Sequence, residues 1–165
     1  MVSEIIGALG ERLARRGVYQ ELVFCGFGEP TMRMDALNAA GLYVRLHHPE
    51  IPLRLNTIGL GSLVQGRDIV PELALFLDSV SVSVNTADPR QWEAIHRPRP
   101  EYRSGGFSAV RSFIERCLRA RIRVRMTAIE LPGVDLEAVR AYARAAGAEF
   151  LARPVLTVSP ASPGP

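Results

Sequence analysis

Short apolar runs alternate along this chain with stretches of helical periodicity. The strictest alternation is 79–84, where serine and valine take turns as in a strand with one buried face. Four other short runs predict strands at 21–25, 53–56, 122–129 and 150–152. A helical stretch separates each pair of strands. This order predicts a parallel sheet whose crossovers are helices, either a doubly wound sheet or most of a barrel.

Polar, glycine and proline positions predict where the helices begin and end. Helices are expected at 3–16, 34–47, 71–76, 88–95, 107–118 and 135–147. Ser3 and Asp135 are the expected N-caps, and Gly17 and Gly147 the expected ends. Residues 59–61 (Gly-Leu-Gly) predict a flexible loop.

The opening helix has no strand before it. In a complete α/β barrel the first helix follows a first strand, so this order indicates a barrel without its beginning. The strand at 21–25 would then be an exposed parallel edge. The segment after Val158 is rich in Ser, Pro and Gly. We therefore expect one domain at 1–156 and a disordered tail at 157–165.

Composition narrows the class of protein. The 165 residues are 47% hydrophobic and 22% charged, as in one globular domain. All 20 basic residues are Arg, the net charge is only +3, and the arginines are scattered, which disfavours nucleic-acid binding. Cys25 and Cys117 are expected to be packing residues. The sequence shows neither a signal peptide nor a membrane-spanning run, so a cytoplasmic protein without a membrane partner is expected.

Polar residues gather where the predicted strands end, the edge at which parallel α/β folds bind ligands. After the first strand, Gly26 and Gly28 allow close backbone approach, and Pro30 fixes the loop and extends Glu29. Such a loop can offer carbonyl oxygens and a carboxylate to a cationic amino group. The alternative is a tight turn with Thr31 as a helix cap.

Later strand ends carry weaker signals. Asn56, Ser83 and Asn85 could hold a sugar hydroxyl, or could cap the turns that follow. Arg97 and Arg99, in a loop rich in proline, could bind an anionic substrate or form a stiff exposed connection. The sequence has no Gly-Lys-Ser/Thr phosphate loop, which weakens the case for an unrelated phosphate- or sugar-binding protein.

Three stretches together resemble the core of radical S-adenosylmethionine (SAM) enzymes, in particular the TatD-associated radical SAM proteins. They are 23–31 (VFCGFGEPT), 53–60 (LRLNTIGL) and 81–85 (SVSVN), with further similar stretches at 66–73, 97–98 and 153–154. The resemblance spans about residues 3–156.

The resemblance implies a partial (β/α)6 barrel with outer helices, which binds SAM and a [4Fe–4S] cluster. An electron from the cluster, supplied by a reductant such as flavodoxin or ferredoxin, cleaves SAM to a 5′-deoxyadenosyl radical. That radical abstracts hydrogen from an unknown substrate. The SAM-binding residues would lie at five strand ends: Gly26, Gly28, Glu29 and Pro30 around the methionine amino group, Asn56, Thr57, Ser83 and Asn85 near the ribose or carboxylate, and Ile129 and Arg153 near the adenine.

One family feature has no counterpart in the sequence. The family holds its cluster with a CxxxCxxC loop after the first strand, and neither cysteine of this chain belongs to such a motif. We expect either a chain that begins inside a longer protein, which we favour, or a degenerate or split family member. The alternative function is a non-catalytic module that binds a nucleotide or docks on a partner.

Overall fold

A parallel sheet forms the centre of the structure. The computed structural model describes residues 2–15, 19–26 and 28–155. Within these ranges the strands are β1 (Leu22–Phe24), β2 (Leu53–Thr57), β3 (Ser79–Ser83), β4 (Arg123–Ile129) and β5 (Glu149–Arg153). They lie in sequence order, and each neighbouring pair is parallel. The predicted five-stranded parallel α/β fold is confirmed.

Helices precede the first strand and connect each strand to the next. In chain order they are α1 (Val2–Ala14), a 3₁₀ helix (Pro30–Arg33), α2 (Met34–His47), α3 (Gly61–Gln65), α4 (Val70–Leu73), α5 (Pro89–His96), α6 (Pro100–Arg119) and α7 (Leu136–Ala146). None of the helices in the described ranges is long and apolar enough to cross a bilayer.

Two helices follow the sequence prediction closely. The bounds of α2 agree with the expected 34–47. The Asp135 carboxylate accepts a hydrogen bond from the amide of Ala138, 2.9 Å away, and so caps α7. Gly147 ends that helix with φ 81°, the left-handed conformation that glycine adopts without strain.

Three other expectations are wrong. Ser3 is not an N-cap, because α1 already begins at Val2. The expected flexible loop at 59–61 is buried, and Gly61 begins α3. Cys25 is exposed, whereas Cys117 is buried as expected. Gly17 and the tail from residue 157 lie outside the described residues.

The two faces of the sheet differ in polarity because the side chains of each strand alternate. On one face, residues such as Leu53, Leu55, Val80, Val124 and Met126 join the hydrophobic core with residues of α2, α6 and α7. The other face carries mainly polar and charged side chains. Among the described residues, none from this second face belongs to the core. We call it the polar face; its central members are Arg54, Asn56, Ser79, Ser81, Ser83, Arg123, Arg125 and Thr127.

A glycine allows α5 and α6 to pack closely. A Cβ atom on Gly106 would lie 2.7 Å from the indole ring of Trp92, which is fully buried. A Cβ atom on the preceding residue, Gly105, would meet nothing within 4 Å. Gly105 and Gly106 are neighbours in α6, but the surrounding residues leave space for a side chain only at Gly105.

We expect Gly106→Ala to destabilise the protein by about 1–3 kcal/mol, the usual cost of overpacking a core. Gly105→Ala is the matched control and should add up to about 1 kcal/mol, because alanine favours a helix over glycine. Urea unfolding of both variants measures the free energies. Equal changes in the two variants would show that the contact with Trp92 does not limit residue 106.

Candidate functional site

The carboxylate of Glu29 ties the loop after β1 to the end of β2. Its Oε1 atom accepts hydrogen bonds from the hydroxyls of Thr31, at 2.8 Å, and Thr57, at 2.7 Å. The backbone amide of Thr31 also donates to Oε1, at 3.3 Å. The amide of Ile58 donates to Oε2 at 2.8 Å. The side chain predicted to face a ligand is thus engaged with protein donors.

Close packing keeps this junction in place. Thr31 is fully buried, and a Cβ atom on Gly61 would lie 2.6 Å from its hydroxyl oxygen. Gly28 has φ 108°, which an L-residue rarely adopts. In the alternative interpretation of this loop as a tight turn, the cap was expected at Thr31; this is wrong, because Glu29 is the N-cap of the 3₁₀ helix.

Asn85 makes a second junction, at the carboxyl ends of β3 and β4. Its φ of 62° is left-handed, which asparagine tolerates better than most residues. Its Oδ1 accepts a hydrogen bond from the amide of Ile129 at 3.1 Å. Its Nδ2 lies 3.2 Å from Nε2 of His96, the last residue of α5. Asn85 therefore fixes β4 and α5 against the end of β3.

Two other predicted residues lie on the polar face. Asn56 accepts a hydrogen bond from Nη1 of Arg54 at 2.6 Å, and Arg54 also pairs with Glu21 at 2.8 Å. Ser83 is half-buried, and in the described ranges no side-chain hydrogen bond involves its hydroxyl. Ser83 is therefore more available to a ligand than Asn56.

Ile129 and Arg153 lie side by side at the carboxyl ends of β4 and β5. They are register partners in β4 and β5. Both line a hollow of about 400 Å³, together with Leu131, Pro154 and Val155. The hollow offers mainly aliphatic walls and one guanidinium group. Such a surface suits a planar aromatic ring better than a sugar.

The two loop arginines lie elsewhere. Arg97 is the C-cap of α5, with φ 46°, and lines a hollow of about 380 Å³ with Arg90, Glu93 and Arg103. Arg99 directly precedes α6, and both arginines are exposed. None of the predicted strand-end residues lines this hollow.

Two features of the site were missed in the sequence. The four donors to Glu29 could not be recognised, because two of them are backbone amides set by the fold. His96 lies just beyond the predicted helix at 88–95, yet it belongs to α5 and its ring stacks on Trp92 with centroids 4.9 Å apart. The spacing of these residues, four apart on one helix, was the available signal.

The cysteines differ in environment. Burial raises the pKa of Cys117 to about 12, so its thiol stays neutral near pH 7. Cys25 is exposed at the end of β1. Within the ranges that the structure describes, no three His, Cys, Asp or Glu side chains converge as metal ligands.

No protein-family model matches this chain, and no curated protein matches it in a sequence search. The residues and their geometry are thus the basis for assigning a function.

We expect Glu29→Gln to reduce the free energy of unfolding by about 1–3 kcal/mol. A glutamine amide places an NH₂ group at one of the two oxygen positions. An NH₂ group in place of Oε1 faces the backbone N–H of Thr31. An NH₂ group in place of Oε2 faces the backbone N–H of Ile58. Either orientation leaves two donors facing each other. Urea unfolding measures the loss.

Glu130→Gln is the control for this substitution, since Glu130 is exposed and no side-chain hydrogen bond or ion pair of the described residues involves it. It should unfold like the unmodified chain. Equal free energies of unfolding for Glu29→Gln and Glu130→Gln would show that the carboxylate of Glu29 does not hold the loop.

The stability of the protein should fall as the pH drops below about 6.5. Burial lowers the pKa of His96. A hydrogen bond to the backbone carbonyl of Val84 acts in the opposite direction, but its effect on the pKa is smaller. The unfolded chain therefore takes up this proton first, and stability declines from about pH 6.5 until the folded pKa is passed. In the protonated ring Nε2 carries a hydrogen and can no longer accept from the NH₂ group of Asn85, 3.2 Å away.

The titration of the His96 ring proton, followed by NMR, measures this pKa directly. Urea unfolding at about pH 7.5 and about pH 5 should show a smaller difference for His96→Gln than for the unmodified chain. A ring that titrates at or above about 6.5 would contradict the expectation.

Proposed function

We propose that this chain is the SAM-binding part of a radical SAM core, built as a partial (β/α) barrel without its first strand. The observation that carries the proposal is the gathering of the predicted ligand residues at one edge of the sheet. These residues come from the ends of all five strands, and Glu29 and Asn85 fix the loops between them. Parallel α/β enzymes bind their ligands at this edge.

The sheet and its helices support a barrel in preference to a doubly wound sheet. The strands follow one another in sequence order, with no reversal. The core that α2, α6 and α7 share with the strands lies on one face. A doubly wound sheet reverses its strand order and places helices on both faces.

Among the described residues β1 pairs with β2 alone, and its other edge fits a further strand. Helix α1 packs on α2 but has no fully buried residue. An apolar groove of about 430 Å³ lies between α1, β1 and α2, lined by residues such as Ile5, Leu9 and Phe24. In a barrel, a strand beside β1 would lie next to this helix.

The atoms left unpaired by the two junctions define how SAM would bind. The carboxylate of Glu29 is engaged, so the methionine amino group would be received by carbonyl oxygens of the loop around Gly26 and Gly28. The hydroxyl of Ser83 and the side chain of Asn56 would face the ribose or the carboxylate. The hollow at Ile129 and Arg153 would take the adenine.

The residues of this chain do not fit a [4Fe–4S] cluster. Such clusters are held by several cysteine thiolates. The sequence has two cysteines; one lies at the end of β1, and the other is a buried, neutral thiol in α6. Ligands for a cluster would have to come from polypeptide outside these 165 residues. We therefore derive no radical step for this chain.

The small number of cysteines favours a second candidate function. With two cysteines, one exposed and one buried, the chain by itself could bind SAM without cleaving it. It would then act as a nucleotide-binding module. Both candidate functions share the SAM site.

Titration calorimetry of the chain with SAM tests the shared site. We expect saturable binding without added iron. Ser83→Ala should weaken it by about three- to tenfold, since it removes one hydrogen bond worth about 0.5–1.5 kcal/mol. Gly28→Ala should weaken it more, because alanine is strained at φ 108°.

Ser108→Ala is the matched control, because Ser108 is exposed on α6 and lies away from the strand ends. A folded chain that binds no SAM would overturn the proposal. Equal losses of affinity in Ser83→Ala and Ser108→Ala would remove Ser83 from the site.

A further inference from the structure

The polar face has a hollow at the amino ends of the strands. The site proposed for SAM lies at their carboxyl ends. The hollow has a volume of about 280 Å³. Its polar lining residues come from β2, β3, β4 and β5 and from the residue before β1: Glu21, Arg54, Ser79, Arg123, Arg125 and Glu149. A parallel sheet normally has both faces covered, so an open polar face calls for a physical explanation.

The register places a serine between two arginines. Arg54, Ser79 and Arg123 are neighbours across β2, β3 and β4 and belong to one face. Neighbouring strands lie about 4.8 Å apart, so the arginines are roughly 10 Å apart at the backbone. The short serine side chain leaves space between the two long ones. Ser79 is therefore the floor of the hollow, and Arg54 and Arg123 form its walls.

The charges in the hollow are only partly paired. Arg54 pairs with Glu21 at 2.8 Å, and Arg125 pairs with Glu149 at 2.9 Å. Arg123 makes no ion pair within the ranges that the structure describes. Three guanidinium groups therefore face two carboxylates, and one positive charge remains.

Hydrogen-bond donors also exceed acceptors beside the hollow. Ser81 lies two residues after Ser79 in β3, on the same face, and is only 8% exposed. In the described part of the chain no side-chain hydrogen bond involves Ser81 or Ser79. Guanidinium groups donate and never accept, and hydroxyls can donate. The donors of Arg123 and Ser79 therefore suit a ligand that is anionic and rich in acceptor oxygens.

We propose that this hollow binds a small oxyanion, of the size of phosphate or a short dicarboxylate. Arg123 supplies the unpaired charge and Ser79 a hydroxyl donor. The ion pairs with Glu21 and Glu149 hold Arg54 and Arg125 in position. The volume of about 280 Å³ limits the ligand to a small molecule or to the anionic end of a larger one. The proposal does not depend on SAM binding, which concerns the other end of the strands.

Calorimetric titration with inorganic phosphate, at constant ionic strength of about 0.1 M, tests the site. We expect one saturable site per chain. Arg123→Gln should weaken binding about tenfold or more, since a hydrogen bond to a charged group contributes about 1.5–3 kcal/mol. Ser79→Val keeps every charge but fills the floor of the hollow and should weaken binding similarly. Valine suits a strand, so this variant should fold.

Arg119→Gln is the control, because it removes one positive charge from an exposed position on α6. Its affinity for phosphate should equal that of the unmodified chain. An equal loss in Arg119→Gln and Arg123→Gln would mean general attraction to a basic protein and would overturn the proposal. Absence of saturable binding to the folded chain would also overturn it.

A parallel titration with succinate distinguishes the two ligand chemistries. Succinate binding that is weakened by Ser79→Val assigns the site to carboxylates, whereas phosphate binding with the same dependence assigns it to phosphate. Circular dichroism verifies the fold of each variant. If Arg123→Gln did not fold, the Ser79→Val result would decide the proposal, and undiminished binding by that variant would refute it.

Discussion

The alternation of side chains along five parallel strands is the constraint on which the rest of the structure depends. In β3 it is strict: Val80 and Val82 are fully buried in the core with the helices, and Ser79, Ser81 and Ser83 face the other way. The register carries the same division into β2 and β4. Burial of the apolar side chains, at about 25 cal/mol per Å² of apolar surface, favours this register over a slip by one residue. The position of every polar-face residue follows from it.

Alternation orders the strands but does not fix the loops that follow them. Two polar side chains do this. Glu29 reaches from the loop after β1 to Thr57 and Ile58 at the end of β2, and Asn85 reaches from β3 to Ile129 in β4. Glu29 accepts from the backbone amides of Thr31 and Ile58, and Asn85 from that of Ile129, so these donors are satisfied where the strands end. Residues of this kind resemble ligand-binding residues in a sequence, because both roles need a polar group directly after an apolar strand. The structure separates the two roles for Glu29, whose carboxylate oxygens are both engaged.

Local patterns predicted the strands, their parallel order and the bounds of α2 and α7. They did so because alternation, capping by Asp135 and the left-handed Gly147 are properties of neighbouring residues. The errors concern tertiary contacts. Gly59 and Gly61 indicated flexibility, but a Cβ atom on either would lie within 3.2 Å of a neighbouring side chain, so close packing accounts for these glycines. Cys25 was expected to be buried, yet it lies next to the free edge of β1 and is exposed. The gathering of strand-end residues could be predicted, whereas the partner of each side chain could not.

The polar face and the free edge of β1 differ in the kind of partner that would satisfy them. At the edge of β1, backbone hydrogen-bonding groups and an apolar groove are accessible. Such a surface suits an extended segment of polypeptide. On the face, the backbone is already paired on both sides within β2, β3 and β4, so only side chains can interact. The central side chains of this face are arginines, hydroxyls and one amide, and the carboxylates beside them are already paired. An apolar helix packed there would bury Arg123 without a counter-charge, at a cost of several kcal/mol. The face therefore disfavours an apolar helix layer, and it suits solvent or a ligand that carries negative charge.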